Sequence, residues 1–130
     1  MSKDHPFVFK PKLLRGVCFL YQAIAHKGDN INNTKSDKVK KFIHFWIEHS
    51  DLSELFDLEK TYTNSLNKWI SNDDETRMNF VIEFLSMLNE SLEKDDKKII
   101  IQHLHEIINN NTETKSEEDL LNLVTEKLEI

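Results

Sequence analysis

Lys12-Leu13-Leu14-Arg15-Gly16-Val17-Cys18-Phe19-Leu20-Tyr21-Gln22-Ala23-Ile24-Ala25-His26 decides the fold of this chain. Leu13, Leu14, Val17, Cys18, Leu20, Tyr21, Ile24 and Ala25 leave almost no polar side to a helix over residues 12–26. A helix that is apolar around most of its girth belongs in the centre of a helical assembly, with neighbours on every side. Gly16 inside it costs about 1 kcal/mol in helix propensity, which predicts a close approach by another helix at that point. Pro6 and Pro11 restrict the preceding residues to extended conformations and make residues 1–11 an N-terminal arm.

The rest of the chain reads with the same period. Gly28-Asp29-Asn30-Ile31-Asn32-Asn33-Thr34 is a polar break with Gly28 placed as a helix C′ residue. Ser36 or Asp37 then caps a helix to about Glu48, with Val39, Phe42, Ile43, Phe45, Trp46 and Ile47 as its apolar positions. Asp51-Leu52-Ser53-Glu54 has capping-box spacing, and Leu55, Leu58, Tyr62, Leu66 and Trp69 share one face of the helix or helix pair that follows. Ser71-Asn72-Asp73-Asp74 starts a helix through Met78, Val81, Ile82, Leu85, Leu88 and Leu92. Asp95 or Asp96 caps the next, through Ile100, Leu104, Ile107 and Ile108. Ser116 begins the last, with Leu120, Leu121, Val124 and Leu128. The expectation is an all-α fold: one compact bundle of six or seven helices over residues 12–130.

Composition agrees. The 130 residues include only 2 Gly and 2 Pro, about 3% against roughly 12% in average proteins. Tight hairpins and Gly-rich phosphate loops both need more. The lone Cys18 excludes an internal disulfide and any Cys-rich zinc site; placed mid-helix among apolar residues, it reads as a small buried hydrophobe. No stretch approaches the roughly 20 apolar residues that span a bilayer, and Met1-Ser2-Lys3-Asp4 opens no secretory signal, so a cytoplasmic location is expected.

Sliding the chain by 65 residues lays Phe19-Leu20 on Phe84-Leu85, and Val39, Phe42 and Ile43 on Leu104, Ile107 and Ile108. Two related halves, 12–70 and 71–130, are one reading; the shared periodicity of all amphipathic helices is the other. The order of long apolar helix, acidic loop and capped helices, carried by Leu20-Tyr21-Gln22-Ala23-Ile24-Ala25-His26-Lys27-Gly28-Asp29-Asn30-Ile31, resembles the tellurite-resistance TerB-like family. That family's loop has Asp-Gly followed by Ile or Leu one residue later, then a helix with an early Glu. Here the order is Gly28-Asp29, and Asp37 stands for the Glu. The resemblance implies a non-enzymatic, cytoplasmic, stress- or defence-associated interaction module, with a divalent cation bound through its acidic loops.

Taken as residues, Asp29 and Asp37 are cation ligands or caps, and so are Asp95 and Asp96 in the second acidic loop. A calcium EF-hand is excluded: counted from Asp29, position 6 is Thr34 rather than Gly and position 12 is Lys40 rather than Glu. The histidines do not pair at metal spacing, and no nucleophile elbow or Glu-x-x-His exists.

Charge is uneven: +2 over residues 1–65 and −8 over 66–130, for a net −6. Lys35, Lys38, Lys40 and Lys41 form the basic cluster. An acidic face of a protein partner suits it better than nucleic acid, which wants a stronger basic footprint; the alternative is an accessory subunit of a nucleoprotein complex using Lys35–Lys41 on phosphates. A second copy of the chain is a further candidate partner. Phe45 and Trp46 point about 100° apart on one helix, so one of them reaches the surface or the helix is enclosed on two sides.

Overall fold

The computed structural model describes residues 11–26, 33–49, 56–108 and 115–129. Among the described residues six helices follow one another: α1 (Pro11–His26), α2 (Asn33–His49), α3 (Leu58–Ile70), α4 (Asp74–Ser91), α5 (Lys94–Ile108) and α6 (Lys115–Lys127). The described residues contain no strand. The β-branched Ile99-Ile100-Ile101 run lies inside α5, as its flanking periodicity requires.

Helix α1 packs against all five others. Among its described side chains only Lys12 and Arg15 are exposed. Phe19 and Tyr21, two residues apart, point to nearly opposite sides of the helix because each residue advances about 100°. Phe19 meets Trp69 of α3 at 5.7 Å and Phe80 and Phe84 of α4 at 5.8 and 5.5 Å between ring centroids. Tyr21 faces Phe42 of α2 and His103 of α5. One side of α1 therefore organises α3 and α4, and the other α2 and α5. Helix α6 closes the bundle on α5 and α4. A single core cluster runs through all six helices, across the boundary between 12–70 and 71–130.

Helix ends are built as a Gly-poor chain must build them. Asp57 caps α3 by accepting the Lys60 N–H at 2.9 Å, and Asp73 caps α4 by accepting the Thr76 N–H at 2.8 Å. That backbone hydrogen bond also holds the Asp73 carboxyl below its usual range. Helix C-termini take cations instead, which suits their negative dipole end. Arg77 donates through Nε to the Trp69 carbonyl at 2.7 Å and lays its guanidinium over the Trp69 ring. Lys38 donates to the Glu106 carbonyl in the last turn of α5, also at 2.7 Å.

Several expected boundaries move. Helix α2 begins at Asn33, so Ser36 and Asp37 lie within it rather than capping it. Helix α5 begins at Lys94, so Asp95 and Asp96 occupy its first turn and neither is the cap. Gly28, Asp29 and the Asp51-Leu52-Ser53-Glu54 box lie outside the described residues.

Gly16 faces α4. A Cβ built there would stand 3.1 Å from Met87 Cε and 3.2 Å from Phe84 Cδ1, closer than ordinary contact. Alanine gains about 1 kcal/mol of propensity but requires the Met87 end and the Phe84 ring each to give slightly, so Gly16→Ala is expected to change stability by less than about 1 kcal/mol. Gly16→Val is expected to cost about 1–3 kcal/mol by overpacking. Urea unfolding checks both; a neutral valine variant would show that α1 and α4 are not in close approach.

Candidate functional site

Tyr21, Trp46 and His103 meet in the core. The Trp46 Nε1–H donates to the Tyr21 hydroxyl at 2.7 Å, and that hydroxyl lies 2.6 Å from His103 Nδ1. Indole can only donate, so the Tyr21 oxygen accepts from Trp46, and the imidazole tautomer sets the direction of the Tyr21–His103 hydrogen bond. His103 stays neutral at ordinary pH. Burial first, and the Lys41 charge second, push its pKa down to about 4. Phe42 stacks on the imidazole at 4.0 Å between centroids. Burial raises the Tyr21 phenol well above its ordinary value. These groups satisfy one another inside a dry core, which makes the constellation a structural lock joining α1, α2 and α5. Cys18 is buried in α1, and burial pushes its thiol far above the ordinary thiol range, so it behaves as a small hydrophobe.

The cation-ligand candidates do not converge. Asp29 lies outside the described residues. Asp37 is exposed on α2. Helices α2 and α5 run antiparallel, because Lys38 reaches Glu106 while Phe42 stacks on His103. Asp37 is thus near the C-terminal end of α5, and Asp96 lies ten residues back from Glu106, about 15 Å along the helix. Among the described residues no group of three His, Cys, Asp or Glu side chains could hold a metal ion. Asp95 is exposed; Asp96 is buried, and its pKa is pushed up to about 7 by desolvation and by the neighbouring charges of Glu93 and Asp95.

The basic cluster is also dispersed. Lys35 is buried and forms a 2.7 Å ion pair with the equally buried Glu117 of α6. Lys38 is engaged at the end of α5. Lys40 pairs with Glu59 at 3.4 Å and sits 4.9 Å above the Tyr62 ring. Lys41 is exposed, with its ammonium 5.9 Å from the Phe42 ring centre. These four lysines do not present one phosphate-binding face.

The outer face of α2 instead forms an open groove with the start of α3, of about 580 Å³. Phe45 and Leu58 give it an apolar floor. Phe45 is half-buried, while the adjacent Trp46 is fully buried. His49 stacks on Phe45 with centroids 5.0 Å apart. Acids (Asp37, Glu48) and bases (Lys40, Lys41) alternate around the rim, and His44 lies 4.0 Å from Glu48. Sequence reading left open that one aromatic of α2 surfaces, and Phe45 is the half-buried one. The same reading missed the Tyr21–Trp46–His103 lock, whose signal was two polar-tipped aromatics and a histidine in otherwise apolar stripes.

No known protein family, curated protein or solved structure matches the chain.

Two outcomes follow from these groups. Tyr21→Phe leaves an indole N–H and an imidazole nitrogen without partners in the core and is expected to cost about 2–4 kcal/mol, read by urea unfolding. For Asp96, the folded pKa lies above the unfolded one, so its contribution is present at acid pH and lost as pH rises through about 7. Asp96→Asn removes that dependence. Its stability relative to the parent is expected to rise by about 1–2 kcal/mol between pH 4 and pH 8, a fraction of the full shift because the helix N-terminus and nearby water favour the carboxylate. A difference that is flat with pH would contradict the buried, isolated carboxylate.

Proposed function

We propose that the chain is a non-enzymatic helical interaction module of TerB-like type, acting in the cytoplasm by docking a protein partner on the outer face of α2. The observation that carries this reading is the groove beneath Asp37, Lys41 and Glu48. An aromatic floor ringed by both signs of charge suits an amphipathic segment of another protein: the ring supplies an apolar anchor, and the charges select register. The core supports the same reading. Its histidine, tyrosine and cysteine are buried, held neutral or hydrogen-bonded to one another, which leaves recognition to the surface. Six helices among the described residues, in one bundle, are compatible with the all-α fold that the resemblance implies.

A photo-crosslinking residue at His44 is expected to give a discrete adduct of higher mass in the source cells, whereas one at Glu83 on α4 gives none. Lys41→Glu, on the rim and exposed, should reduce the His44 adduct severalfold. Absence of an adduct at His44, or equal yields at both positions, would defeat the reading.

A further inference from the structure

On the other side of the bundle, α1, α3 and α4 enclose a second cavity of about 320 Å³. This is the lower end of the range for small-molecule sites. It lies apart from the α2 groove and shares no lining residue with it. Its floor is apolar: Cys18 and Phe19 of α1, Phe84 of α4, and Phe56 ahead of α3. Its rim is cationic, with Lys12 and Arg15 one turn apart on α1 and Lys68 opposite them on α3.

Three observations mark this cavity as built for a ligand. First, none of these cations has an acidic partner among the described residues. In a chain of net charge −6, this opening is lined by three cations and no acid, which concentrates positive potential there. Second, Lys68 is positioned rather than free: its ammonium sits 4.2 Å above the Phe80 ring and 5.8 Å from that of Phe84. It is held at the junction of rim and floor. Third, Thr61 lines the cavity and is 8% exposed, yet no hydrogen bond engages its hydroxyl among the described residues. The neighbouring Ser65, equally buried, is satisfied twice, by the Tyr62 carbonyl and by Gln22 Nε2. A buried hydroxyl without a partner costs about 1–3 kcal/mol, which an acceptor on a bound molecule removes.

We infer that this cavity binds a free single-chain amphipathic carboxylate, its head held by Arg15, Lys12 and Lys68 with the Thr61 hydroxyl donating to it, and its alkyl tail laid against Phe19, Phe56 and Phe84. The apolar floor disfavours a wholly polar anion such as phosphate, which would leave the aromatic rings without a partner. The cationic rim disfavours a neutral hydrocarbon. A bilayer is disfavoured by shape, since the site is a recess between three helices and its floor lies beneath the helix surfaces.

Decanoate is the probe, titrated calorimetrically into the full chain below its micelle-forming concentration, with amide NMR to place the site. Saturable one-to-one binding with shifts at Thr61, Asn64 and Lys68 is expected. Decanol, with the tail alone, and acetate, with the head alone, should each bind at least tenfold more weakly. Arg15→Gln with Lys68→Gln, both exposed, should weaken decanoate at least about tenfold with an unchanged melting temperature. Lys12→Gln carries the same test should the double variant fail to fold. Thr61→Val should weaken binding severalfold. No saturable binding, equal binding of decanol, indifference to the charge variants, or shifts mapping elsewhere would overturn the inference. So would binding to vesicles containing anionic phospholipid without binding to decanoate, which would make the surface a membrane contact. None of these results bears on the α2 groove.

Discussion

Everything in this bundle depends on enclosing one helix completely. Helix α1 carries apolar side chains on every side, and such a helix gains stability only when neighbours cover its whole circumference. Phe19 and Tyr21 divide that task. Their opposite directions give α1 two aromatic neighbourhoods, one of ring packed on ring with α3 and α4, where hydrogen bonding is confined to Gln22 and its partners on α3, the other threaded by hydrogen bonds through the rings themselves with α2 and α5. The polar one fixes orientation, because an indole N–H, a phenol and an imidazole satisfy each other in only one arrangement. The apolar one tolerates adjustment, and it is on that side that a recess opens beside Phe19.

The cations are distributed by the same logic. Arg77 and Lys38 lie at carbonyl ends of helices, Lys35 is neutralised inside the bundle, and Lys40 is shared between a glutamate and a tyrosine ring. These positions consume positive charge for architecture. Lys12 and Arg15 serve none of these purposes, Lys68 is held only by the Phe80 and Phe84 rings, and all three face one opening.

The fold was legible in the sequence because periodicity and caps are local. The girth of α1, the reason for Gly16, the inert Cys18 and the Asp73 cap could all be read from neighbours within a few positions. The site was not legible in the same way. Lys35 looked like one member of a basic surface cluster, but its partner Glu117 lies 82 residues away. His103 looked unremarkable beside His105 because metal pairing was the pattern sought, whereas its partners Tyr21 and Trp46 come from other helices. Asp37, Asp95 and Asp96 were grouped by residue type, and the antiparallel run of α2 and α5 separates them. The i, i+3 spacing of Lys12 and Arg15 was a local signal, but Lys68, which gives it meaning, arrives only through packing.

The ion pair between Lys35 and Glu117 has a consequence for how the chain comes into being. It links the start of the second helix to the start of the sixth, and both charges are sealed from water. A nascent chain emerging from the ribosome holds Lys35 long before Glu117 exists. Until then the lysine lacks this carboxylate, and the contact between the starts of α2 and α6 cannot form. An uncompensated buried charge is strongly destabilising, on the order of 3–5 kcal/mol when one member of such a pair is removed. Helix α6 thus acts as a latch on folding: the early helices can collapse onto α1, but this ion pair waits until α6 has been made.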